Sequence, residues 1–170
     1  MKRFFSILLL LAFGVGQEAL LACGDKFFVV GRGDKFSRAY ASLNPGNILI
    51  YTGGSSDTSK ALADGRLQKY FARAGHRVQV AGDSAALTRA LQSGSVDIVL
   101  ADLDQAVQLL PGVNASASMP IMMPVEGKER TGGPKHQFKA TLKASDRING
   151  FLAKIDDVMK ERAAAARRRS

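Results

Sequence analysis

Val96-Asp97-Ile98-Val99-Leu100-Ala101-Asp102-Leu103-Asp104 sets an unbroken apolar run between carboxylates. A run without polar alternation suits a strand buried on both faces, as in the interior of a parallel sheet. Asp102 then falls at the carboxyl end of that strand. Open α/β sheets place their ligands and their chemistry at that edge.

The flanking sequence supplies the rest of such a sheet. Asn47 to Tyr51 reads as a strand, followed by the polar loop Thr52-Gly53-Gly54-Ser55-Ser56. Thr58 to Ala63 forms a helical turn. Asp64 caps a further helix with Leu67, Phe71 and Ala74 on its apolar face and Gly75 as its stop. His76 to Ala81 alternates, as expected near a sheet edge. Gly82-Asp83-Ser84 opens a helix with a stripe of Leu87, Ala90 and Leu91, ended by Ser93-Gly94-Ser95. Beyond the opening stretch, Asp104 to Leu110 predicts a short helix stopped by Pro111-Gly112, then a small-residue loop to Ser118. Met119 to Val125 is a fourth strand. Glu126 to Gln137 is polar and holds at most a short helix. Phe138 to Leu142 is a weaker, edge-like strand. Ser145 or Asp146 is expected to cap a last helix, in which Ile148, Phe151, Leu152, Ile155, Val158 and Met159 recur at helical spacing. Five strands alternating with helices predict one α/β domain with a parallel sheet, right-handed crossovers and helices on both faces.

The chain of 170 residues is long enough for one such core. Its start has a different character. Lys2 and Arg3 precede the apolar run Phe4 to Val15, which matches the h-region of an export signal and is short for a membrane span. We therefore expect residues 1–22 to be a signal peptide, with an uncleaved anchor as the other reading. Leu20-Leu21-Ala22-Cys23 resembles the lipobox of bacterial lipoproteins. Cys23 is thus a lipidation candidate and a tether to a membrane, with plain secretion the alternative. As the only cysteine it has no partner for an internal disulfide. Residues 23–47 form an N-terminal extension, residues 48–162 the domain, and residues 163–170 a basic tail.

The formal net charge is +9, and +8 remains without Lys2, Arg3 and Glu18. The tail cations read as a solvated helix end, with an anionic surface second. No aromatic residue lies among the tail arginines to stack bases, so no nucleic-acid partner is expected. His76 and His136 have no metal-ligand spacing with Cys23, and no Ser-His-Asp or Cys-His constellation can be argued. We expect no metal and no cofactor.

The stretch from Leu67 to Asp104 resembles the receiver domain of bacterial response regulators. Ala74-Gly75-His76-Arg77-Val78 resembles the passage from the first receiver helix into the second strand. Gly82-Asp83-Ser84-Ala85-Ala86-Leu87 resembles the turn opening the second helix. Asp97 to Asp102 has the family's pattern of an aspartate, four mainly apolar residues and the phospho-accepting aspartate. Pro120-Ile121-Met122-Met123 stands as the fourth strand, and Lys143-Ala144 where the family has a lysine followed by proline. The resemblance spans about 115 residues, 48–162. It implies a flavodoxin-like three-layer sandwich with a five-stranded parallel sheet of order 2-1-3-4-5. It also implies Asp102 as candidate phospho-acceptor and Lys143 as its partner.

The departures bear on function. Where the family carries two acidic Mg²⁺ ligands after the first strand, this chain has Tyr51 and Thr52, poor ligands for that ion. Met123-Pro124-Val125 offers no hydroxyl where the family has a Ser or Thr. Phosphoryl transfer relies on metal positioning and charge neutralisation. The sequence therefore reads as an exported, non-catalytic receiver-like domain, periplasmic or membrane-anchored, that acts as a protein-interaction or ligand-sensing module in the bacterial envelope. Its expected surface is the sheet edge around Asp102, Lys143 and Gly53-Gly54, and its partner a protein the sequence does not identify. One alternative is a phosphorelay receiver with Asp102 as acceptor. Another is flavodoxin-like phosphate or nucleotide binding in the Thr52–Thr58 loop, where Thr52, Gly53, Gly54 and Ser55 would cradle the anion.

Overall fold

The decisive run folds as a strand, β3 (Ile98–Asp102), with all five residues buried. The computed structural model describes residues 42–128 and 135–168. The expected signal peptide, Cys23 and the extension through residue 41 lie outside the described residues. β3 pairs in parallel with β1 (Asn47–Tyr51) on one side and β4 (Ile121–Glu126) on the other. β2 (Arg77–Ala81) lies outside β1, and the two-residue β5 (Leu142–Lys143) lies outside β4. The sheet order is therefore β2-β1-β3-β4-β5, every pair parallel. This is the flavodoxin-like order expected from the sequence.

Alternation along the strands divides the core between two faces. One face carries Ile48, Ile50, Ile98, Leu100, Met123, Val125 and Leu142. It is covered by α1 (Asp57–Ala63), α2 (Gly65–Arg73) and α5 (Ile148–Arg167). The other carries Leu49, Tyr51, Val99, Ala101 and Met122 under α3 (Ser84–Gln92) and α4 (Leu103–Asn114), with Phe138 packed beside them. All six residues expected to face the core from the last helix are buried. Their burial contributes on the order of 10 kcal/mol before the entropy of ordering the helix. Asp64 caps α2 as expected, its carboxylate accepting from the Arg66 N–H.

Five local expectations are corrected. α4 does not stop before Pro111 but runs to Asn114. Pro111 forgoes one helical hydrogen bond, yet Val113, fully buried, anchors the last turn in the core. β4 extends to Glu126, placing a carboxylate in the sheet where a loop was expected. β5 begins at Leu142 rather than Phe138, because Phe138 turns inward from a loop that follows a 3-10 turn at Lys135–Gln137. The N-cap of α5 is Arg147 and makes no side-chain cap bond. The Asp146 carboxylate instead accepts from the Lys143 N–H at 3.3 Å and from Lys154 Nζ at 2.8 Å. α5 also continues through Arg167, so most of the expected tail is helix.

Candidate functional site

The carboxyl edge of the sheet gathers the ends of β1, β3, β4 and β5 with the first turns of α1 and α4. Asp102 closes β3 and is at once the N-cap of α4. Its Oδ1 accepts from the Asp104 N–H at 2.9 Å, and its Oδ2 accepts from Ser56 Oγ at 2.9 Å. Ser56 is the N-cap of α1, where its Oγ accepts from the Ser59 N–H at 3.0 Å. The Ser56 and Ser59 hydroxyls lie 3.0 Å apart. One chain of hydrogen bonds thus joins the amino ends of two helices through a carboxylate that is only 7% exposed. The arrangement follows from charge. A helix amino terminus carries unsatisfied N–H groups and a partial positive charge, so it favours an anion. Here the protein's own Asp102 fills that role for α4 and binds the cap of α1.

The loop ahead of α1 is packed closely against the same group. A Cβ at Gly54 would collide with Ser59 Oγ and meet the Gln105 side chain of α4 at 3.1 Å. A Cβ at Gly53 would fall 2.5 Å from the Tyr51 hydroxyl and 2.8 Å from the Gly82 carbonyl oxygen. Thr52 donates its N–H to the Ala81 carbonyl at 2.9 Å, which ties the loop to β2. Ser55 is exposed. The loop's two glycines are therefore used for close approach to neighbouring protein atoms.

Tyr51, which ends β1, is buried in the core under α3 and α4. Among the described residues no group of three His, Cys, Asp or Glu side chains converges in a way that could hold a metal ion.

Lys143 is not brought to Asp102. Asp102, Val125 and Leu142 share one row across the sheet. Lys143 stands one residue beyond that row, in register with Glu126. Side chains alternate along a strand, so Lys143 and Glu126 point to the α4 face, whereas Asp102 follows Ile98 and Leu100 to the α1 face. Lys143 is exposed, and Glu126 is 4% exposed. Sequence reasoning missed Ser56 and Glu126. Ser56-Asp57-Thr58-Ser59 does carry the signal of a capping residue ahead of a helix. Glu126 carries none, since a carboxylate after an apolar run ordinarily marks the loop.

No protein-family model and no curated protein matches the chain. Among solved structures, the crystal structure of a CheY-like response regulator receiver domain protein from Methanospirillum hungatei JF-1 is similar to it, with a TM-score of 0.49 and 14% identity. The match covers 68% of this chain and 94% of that one. The strand order and the two helical layers described above define a flavodoxin-like α/β fold.

Proposed function

We propose that this protein is an exported, non-catalytic receiver-like module that works by binding a protein partner at the carboxyl edge of its sheet. The observation that carries the reading is the state of Asp102. Both carboxylate oxygens accept hydrogen bonds within the fold, from Ser56 and from the Asp104 N–H, and the group is buried. A phospho-acceptor needs a free oxygen in line with the incoming phosphoryl group and a cation beside it. The positions that would supply cation ligands are a core tyrosine and a threonine turned to β2. Export is supported by Lys2 and Arg3 ahead of Phe4 to Val15 and by Leu20-Leu21-Ala22-Cys23. The edge that remains for a partner is polar, with Ser55, Asp57, Asp83, Asp104 and Lys143 exposed around the sealed carboxylate.

The test is to add Mg²⁺ with beryllofluoride, and separately acetyl phosphate, to the labelled protein and record backbone amide spectra. The amide signals of Asp102, Leu103 and Ser56 are expected to stay in place, as they would in Asp102→Asn. Shifts at these amides that vanish in Asp102→Asn would establish a working receiver and overturn the proposal. Intact mass and fractionation in the native host test export separately. A diacylglyceryl mass on a chain beginning at Cys23 is the expected result for the tethered form.

A further inference from the structure

The edge opposite the site has its own character. In a parallel α/β sandwich every helix runs against the strands, so all helix carboxyl ends gather where the strands begin. Cations are favoured there by the helix dipoles. Arg73 and Arg89 stand in the last turns of α2 and α3, and Arg168 caps α5. Arg77 opens β2 at the same edge. All four are exposed. Three acids of this edge are engaged and one, Asp157, is exposed on α5, where Glu161 pairs with Lys139 at 2.7 Å. Asp97 accepts from the Asn47 N–H at 2.9 Å and faces Arg162 at 3.4 Å, and Asp156 accepts from Ser42 Oγ at 2.7 Å. Asp57, Asp83 and Asp104 are exposed at the far edge.

Helix dipoles explain the cations but not the apolar residues among them. Leu43 is 86% exposed just before β1, and Met119 is 67% exposed just before β4. Met119 is held outward by its backbone. Its φ is 42°, a conformation that disfavours a bulky side chain. Arg162 fixes the turn by donating to the Met119 carbonyl at 2.9 Å and the Ser118 carbonyl at 2.8 Å. The chain also joins the domain at this edge, since the Ser42 N–H donates to the Ala74 carbonyl at the end of α2. α5 carries Arg168 about 9 Å past Arg162.

From this juxtaposition of exposed apolar tips, exposed cations and the point of chain entry, we infer that the strand-start edge docks on an anionic phospholipid surface. Leu43 and Met119 enter the headgroup region, and Arg73, Arg77 and Arg168 meet lipid phosphates. The carboxyl edge around Asp102 then faces away from the bilayer. A lipid surface within reach presumes the export reading, but docking itself needs no acyl chain on Cys23.

The experiment uses the full chain with Cys23→Ala, so that no lipid anchor or second thiol contributes. Met119→Cys is labelled with an environment-sensitive fluorophore, and Ser55→Cys at the opposite edge serves as control. With vesicles of phosphatidylglycerol and phosphatidylcholine, the label at position 119 is expected to shift to the blue and the label at 55 to stay unchanged. Replacing Arg73, Arg77 and Arg168 together by Gln should weaken partitioning by at least about tenfold. Equal binding to vesicles of phosphatidylcholine alone, an unchanged affinity in the triple variant, or a shift at position 55 alone would overturn the inference. A label at 119 that responds to duplex DNA and not to vesicles would overturn it in favour of nucleic acid. Because the assay uses purified protein, its failure is separate from a failure of export, which fractionation reads.

Discussion

Ser56 Oγ stands 2.9 Å from Asp102 Oδ2, so the N-cap of α1 donates to the N-cap of α4. Two βα units, 46 residues apart in sequence, are locked through one carboxylate.

Asp102 is therefore first a structural group, and its variants should sort by capping strength. Asn caps helices about as well as Asp, and its amide NH2, standing where Oδ2 accepts, can donate to the Ser56 hydroxyl instead. Asp102→Asn is expected to cost less than about 1 kcal/mol, whereas Asp102→Ala loses the cap and the bond from Ser56, costing about 1–2 kcal/mol. Urea unfolding of the two variants against the parent measures the difference. Equal effects would refute the capping role.

The glycines of the edge make a contrasting pair. Gly54→Ala drives a methyl group into Ser59 Oγ and the Gln105 side chain. Gly82 has open space where its Cβ would be. Gly54→Ala is expected to destabilise by about 1–3 kcal/mol and Gly82→Ala by less than about 0.5 kcal/mol. Ser59→Ala, which removes the nearest clashing atom, should recover part of the Gly54→Ala loss in the double variant.

Pro111 lies inside α4 without an N–H to give to its preceding turn. Pro111→Ala restores that donor and relieves the ring's steric conflict, while freeing the unfolded chain slightly. A gain of about 1–2 kcal/mol in chemical denaturation is expected. A loss would mean that the ring's packing outweighs the missing bond.

Stability should fall on the acid side of neutrality through His76. This side chain is 4% exposed, its Nδ1 accepts from the Gly46 N–H at 3.2 Å, and its edge meets Phe71. Burial lowers its pKa below the usual 6.5, against a smaller opposite pull from Asp156. The unfolded chain takes up the proton first. The stabilisation is then complete above about pH 6.5 and is lost as pH falls below it toward the folded value. Urea midpoints taken from neutral pH down to about pH 5 should decline in the parent and decline less in His76→Gln. Equal slopes in the two would exclude His76 as the source.

The parts of the fold legible in the sequence were those that repeat one physical demand many times. β3 buries five residues in a row, and α5 returns six apolar residues to one side, so no single neighbour could disguise either element. Features decided by one contact were not legible. The stop expected at Pro111 failed because Val113, two residues on, had a place in the core. The Asp102–Lys143 pairing failed on parity, since one residue of register puts Lys143 on the other face of the sheet. Asp102 itself was legible as the group at the edge. Its partner Ser56 was not, because a capping serine belongs to a helix whose start the sequence placed one residue late, at Thr58 rather than Asp57.

β3 also dictates when the chain can fold as it emerges from its amino end. Before residue 98 is available, β1 has only β2 beside it, and its apolar residues lack their second neighbour. Pairing Leu49 with Val99 closes a loop of 50 residues, at an entropic cost of about 3.5 kcal/mol. Until that closure the leading half is an open βαβ fragment that offers Ile48 and Ile50 to any other unpaired strand. The arrival of Ile98 to Asp102 is the moment of commitment, and a pause in synthesis just before them is when the nascent chain is most exposed to aggregation and to chaperones.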